Sequence, residues 1–114
     1  MAKPKSGRQA GPPPTEPNIY EASRAVNGGV VKGAKITQAQ AEQRRRAGQD
    51  VVICGPNLTS NSELAKAIEQ AANGTWKRCP PHQNEGPYAL PHYQPDPRPP
   101  EGHTFYETPH RKAL

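Results

Sequence analysis

Eight prolines fall between Pro80 and Pro100 of this 114-residue chain, and no other feature limits its fold so sharply. Proline fixes φ, removes a backbone donor and is kept out of helix interiors and central strands. The stretch CPPHQNEGPYALPHYQPDPRPPEGHTFYET, residues 79–108, therefore admits only loops and short or edge strands. Yet it also carries His82, His92 and His103, Tyr88, Tyr93 and Tyr106, and Phe105. A mere spacer has no reason to return to GHTFYET, an aromatic, β-prone run after a glycine. The prolines are read as stiffening connections between short strands, which lowers the entropy lost on folding.

The two ends of the chain differ in charge. Residues 1–35 hold six Lys/Arg against two Asp/Glu and almost no large apolar side chain, as in PKSGRQAGPPPTEP and the glycine-broken AVNGGVVKGAK. Such a stretch buries too little apolar surface to offset its ordering entropy, so it is expected to be a flexible linker, with AVNGGVVKGAK either flexible or one weak strand. Residues 36–114 hold nine Lys/Arg against eight Asp/Glu. The net charge of +5 thus belongs mostly to the tail and does not by itself assign nucleic-acid binding. No run approaches the ~20 apolar residues of a membrane span, and the first residues lack the apolar centre of a signal peptide. Export is expected to depend on a larger carrier. Cys54 and Cys79 form no CxxC pair, which points to two thiols or one disulfide rather than a zinc ribbon.

The expected domain is 36–114. Thr37-Gln38-Ala39-Gln40 matches a capping box, opening a helix through QAQAEQRRRA that stops at Gly48. DVVICG, residues 50–55, has apolar residues without alternation and reads as a central strand buried on both faces. PNLTSNSELAKAIEQAANG gives a second helix, with a capping box at Ser60 and Glu63 and a stop at Asn73-Gly74. TWKRC, YALPHY and HTFYET are short strand candidates. The sum is an α+β domain: two N-terminal helices with a small, mainly antiparallel sheet, preceded by a disordered linker. Val51, Val52, Ile53, Leu64, Ile68 and Trp76 are its expected core. Arg44, Arg45 and Arg46 are expected on a solvated helix face near the favourable C-terminal end of the dipole, with RNA backbone contact as the lesser alternative.

All four histidines, His82, His92, His103 and His110, lie in the last 33 residues. Imidazole exchanges protons near neutrality, and loops are where sites are built. Exposed loop histidines without a role are the plain alternative. Cys79-x-x-His82 followed by His92 has no standard zinc spacing, and Asp96 and Glu107 only loosely suit a nuclease cation. No metal and no cofactor are therefore assigned. Metal-independent RNA cleavage needs a base, an acid and a cation against the developing charge. The candidates are His92 and His103 as the acid/base pair and His82 as substitute. Arg98, Arg111 and Lys112 are candidate phosphate contacts, and Tyr93 and Tyr106 are placed to stack a base or support the phosphate.

RRRAGQDVVICGPNLTSNSELAKAIEQAANG, PPHQNEGPYALPHYQP and GHTFYET together resemble the C-terminal toxin modules of bacterial polymorphic toxins. Such modules end Rhs, contact-dependent inhibition and type VI secretion effectors. The resemblance covers about residues 36–114 and is most specific at ALPHYQ and GHTFYET. It implies a cytotoxic enzyme delivered as part of a larger protein, acting in the target cell's cytoplasm and neutralised by a cognate immunity protein. One large group shares the barnase/EndoU/RelE-like ribonuclease fold, whose helices precede an antiparallel sheet; this chain lacks that group's clear catalytic Glu. The first reading is a metal-independent ribonuclease, with RNA ahead of DNA as partner. A metal-dependent DNase toxin is the alternative, and a non-catalytic binding module with a proline-rich tail is a third.

Overall fold

The computed structural model describes residues 17–81 and 86–114, so His82 and the first sixteen residues lie outside the described residues. Its central strand is VVIC, Val51–Cys54, buried along its whole length. Both neighbours depart from the expected plan. On one side lies β1, Asn18–Arg24, antiparallel to the central strand, with β2, Val30–Ile36, antiparallel beyond it. After α1, Gln38–Arg46, the central strand is β3, followed by α2, Leu58–Asn73. Then come β4, Lys77–Cys79, β5, His92–Gln94, and β6, Thr104–Tyr106. The described residues form a six-stranded sheet of order β2-β1-β3-β6-β5-β4.

This corrects the expected fold. The domain is α+β, but its helices follow two strands instead of leading the chain. The sheet is mixed, because β3 and β6 pair in parallel. Much of the stretch read as linker is ordered, from Asn18 through Ile36. Its strands were hard to see because few of their side chains point inward. In β1 only Ile19 and Ala22 are buried, and in β2 only Val30 is. Strands with so few buried positions carry no clear period-two signal.

The helices hold better to expectation. Thr37 accepts from the Gln40 amide at 3.1 Å while the Gln40 side chain takes the Thr37 amide at 2.9 Å, the reciprocal capping box. In α2 the cap is not Ser60. Asn57 accepts the Ser60 amide at 2.9 Å, so the helix opens one turn earlier than read.

Sheet alternation sorts the core into two layers. Val51, Ile53, Ile19, Tyr93 and Tyr106 pack with Ala41 of α1 and with Ala65 and Ile68 of α2. Val52, Cys54, Ala22, Val30 and Phe105 face the other way, covered by Leu90 and Ala113 instead of by helices. Trp76, expected in the core, is 40% exposed beside β4. Among the described residues no helix is long and apolar enough to cross a membrane.

Candidate functional site

Parallel pairing of β3 with β6 aligns the starts of the two strands. Val51 stands opposite Thr104, so the preceding residues, Asp50 and His103, meet at one end of the non-helical face. Asp50 Oδ1 accepts the His103 backbone amide at 2.7 Å and lies 3.3 Å from the His103 ring Nδ1. Burial alone pushes the Asp50 carboxyl up. The hydrogen bonds and charge of His103, with the charge of Arg45 behind, outweigh it and hold Asp50 below the usual carboxylate range.

His92 and His103 are brought together. Their ring centroids are 4.5 Å apart in an edge-to-face arrangement, and both rings pack on Phe105, at 5.4 and 5.0 Å. Their exposures differ. The His92 residue is wholly buried, whereas the His103 side chain keeps 16% of its surface and meets solvent. Arg24, near the end of β1, sets its guanidinium carbon 5.8 Å from the centre of the same Phe105 ring. One solvent-reaching imidazole, its carboxylate partner, a second imidazole behind it and a nearby cation thus share one apolar base.

A buried ion pair holds this arrangement from behind. Arg45 Nε donates to Glu69 Oε1 at 2.9 Å and to Thr104 Oγ1 at 3.1 Å, and the Thr104 hydroxyl donates to the same Glu69 oxygen at 3.0 Å. Asn73 Nδ2 donates to the other Glu69 oxygen. Arg45 Nη1 donates to the carbonyls of Gln49 and Glu101, both at 3.0 Å. Those carbonyls belong to the two loops that deliver Asp50 and His103. Arg44 adds bonds of 3.2 and 3.0 Å to the Asp50 carbonyl. Gly48 and Gly102 both have positive φ, at 79° and 94°. A Cβ on Gly102 would stand 2.5 Å from Arg45 Nη1 and 2.7 Å from the Gly48 carbonyl. Only glycine lets the loops close on the guanidinium. The arginine run is therefore not a uniformly solvated face: Arg46 is half exposed, while both side chains of the Arg45–Glu69 pair are fully buried.

The remaining expected site residues lie elsewhere. Tyr93 and Tyr106 sit on the helical face, through the sheet from His103, and the Tyr93 hydroxyl is 2.9 Å from Ser62 Oγ. Burial pushes the Tyr106 phenol up. Neither tyrosine can support a phosphate held at His103. Arg98 is tied to Glu101 at 3.1 Å and to the Gly102 carbonyl at 2.9 Å, shaping the loop ahead of His103. Arg111 donates to the carbonyls of Gly86, Pro87 and Ala89, fastening the C-terminal segment to the proline-rich loop. Lys112 lines a separate cavity of about 370 Å³ with Tyr88 and His110.

Asp50 and Arg24 were not singled out in the sequence, and Arg45 was read as solvated where the structure buries it. Asp50 had a usable signal, since it begins VVIC as His103 begins TFY, and parallel pairing brings strand starts together. Among the described residues no three His, Cys, Asp or Glu side chains are grouped to hold one metal ion. Cys54 and Cys79 are both free thiols. No family model, no curated protein and no solved structure matches the chain.

Proposed function

We propose that the chain is a metal-independent ribonuclease whose acid/base residue is His103. The observation that carries this reading is the single Asp50 oxygen shared by the His103 amide and its ring Nδ1. A carboxylate on Nδ1 fixes the tautomer that leaves Nε2 as the basic nitrogen and steadies the imidazolium once a proton arrives. His103 Nε2 takes the proton of a ribose 2′-hydroxyl. The 2′-oxygen then bonds to its adjacent phosphorus, and the bond from phosphorus to the 5′-oxygen breaks. The leaving 5′-oxygen takes a proton from a water molecule, the hydroxide so formed takes the proton back from His103 Nε2, and the products are a 2′,3′-cyclic phosphate and a 5′-hydroxyl.

Arg24 supplies positive charge toward the phosphoryl oxygens, where it stabilises the transition state more than the ground state. His92, buried against His103 and Phe105, positions the His103 ring and does not touch substrate. The resemblance to polymorphic-toxin modules supports a cytotoxic role: delivery within a larger effector, action in a target bacterium's cytoplasm and neutralisation by an immunity protein.

The test is incubation of purified protein with total RNA and with plasmid DNA, each with and without EDTA. RNA loss unaffected by EDTA is the expected result. DNA nicking that EDTA abolishes, with RNA intact, overturns the reading in favour of a metal-dependent DNase.

A further inference from the structure

On the opposite face of the sheet, two adjoining cavities run along α2 beside β4, of about 310 and about 460 Å³. They share Ser62, Glu63 and Arg78, and the larger is also lined by Lys66, Trp76 and Tyr93. Trp76 is the single tryptophan of the chain, and it is 40% exposed where a small core has most use for it. Its indole is held in place: the Tyr93 ring meets it edge-on at 5.5 Å, and Lys66 Nζ stands 5.0 Å from its centroid. The Tyr93–Ser62 hydroxyl pair beside it, 2.9 Å apart, offers both a donor and an acceptor. Lys66 Nζ lies over one face of the indole, Arg78 lines the same cavity, and Glu63 is the one acid in the lining of either cavity.

We infer that this groove binds single-stranded nucleic acid, with one base stacked on Trp76 and its phosphates held by Lys66 and Arg78. A fixed, exposed aromatic in a cavity lined by cations suits a ligand that is flat and anionic along a chain. A duplex cannot present its base faces to an indole, so the strand must be unpaired. The groove lies through the sheet from His103 and takes no part in the cleavage chemistry. It rests on the ribonuclease reading only for its ligand class.

The test titrates the folded protein with a 2′-O-methyl oligouridylate of eight nucleotides, which lacks the attacking hydroxyl and so binds without being cut. Trp76 emission reports directly on the groove. The expected result is saturable quenching at low salt. Lys66→Ala and Arg78→Ala each weaken binding and flatten the dependence of log affinity on log salt by roughly one phosphate contact. Trp76→Leu, read by anisotropy of a labelled oligonucleotide with circular dichroism as the folding check, weakens binding by about tenfold. Binding that leaves Trp76 emission unchanged, or is as tight in all three variants as in the parent, overturns the inference. So does quenching by poly-glutamate with none by the oligonucleotide, which makes the groove a protein-docking surface. A protein that binds the probe through Trp76 but leaves RNA intact keeps the groove and loses the ribonuclease. One that cuts RNA while Trp76 stays silent does the reverse.

Discussion

Asp50 gives up solvent to hold His103, and that exchange has a sign. Its carboxyl titrates below the ordinary value of about 3.9 in the folded protein. A group depressed on folding contributes stability that is fully present above its unfolded pKa and is lost as pH falls through the folded one. Asp50→Asn is therefore expected to remove part of the acid dependence of stability from about pH 4 downward. Urea midpoints measured at pH 7 and pH 3 check this; an equal fall in parent and variant contradicts it. The thiols give a second residue-scale contrast. Burial, then the neighbouring Glu107 charge, pushes Cys54 up to about 12, so at pH 8 it stays a protonated, shielded thiol. Cys79 is only half-buried. Iodoacetamide followed by mass spectrometry is expected to label Cys79 first, and equal labelling of both runs against the placement of β3.

At the scale of elements, α1 is a clamp as much as a packing surface. Its stripe buries only Ala41 and Arg45, so a guanidinium stands where most surface helices place leucine. Removing one partner of a buried pair leaves the other charged and unpaired, at a cost of about 3–5 kcal/mol. Arg45→Met is expected to lose about that much in urea unfolding, against about 0.5 kcal/mol or less for the exposed Arg46→Ala. A matching loss for the two removes Arg45 from its structural role. The central strand supplies the companion test. Ile53→Ala empties a fully buried position and is expected to cost about 2–5 kcal/mol.

These elements also mark the limit of what the residues reveal locally. VVIC, the Thr37 capping box and the Gly74 stop of α2 were legible because their signals are complete within a few residues. NIYEASR was not, and VVKGAKI showed at most as one weak strand, since what makes them strands is pairing with β3 and with each other. His92 and His103 were legible as candidates by residue type. Asp50 was not, because its bond to His103 spans 53 positions and depends on a parallel pairing that no local pattern announces. Arg45 was hidden by its neighbours: a run of three arginines reads as surface, and only the packing of α1 on α2 shows that one of them points inward.

For the whole molecule, the sheet divides the chemistry. Its non-helical face carries His103, Asp50 and Arg24; its helical face carries the Trp76 groove. Both depend on β3 standing between β1 and β6, which makes the N-terminal strands part of the fold rather than a tether. Deleting residues 1–35 removes β1 and most of β2, leaves β3 with an open edge, and strips Ile19, Ala22 and Val30 from the core. The truncated chain is expected to be unfolded by circular dichroism. A cooperative melt within a few degrees of the parent contradicts the sheet order.

The central claim is that His103, set by Asp50, opens the phosphodiester through the 2′-oxygen. Its most direct test is cleavage of one short RNA in EDTA by the parent and by His103→Ala, with product masses recorded and folding checked by circular dichroism. The account predicts 2′,3′-cyclic phosphate and 5′-hydroxyl ends from the parent, and a rate lower by about 10²–10⁴-fold in a folded His103→Ala. A folded variant that cuts as fast as the parent, or parent products bearing 5′-phosphates, contradicts it.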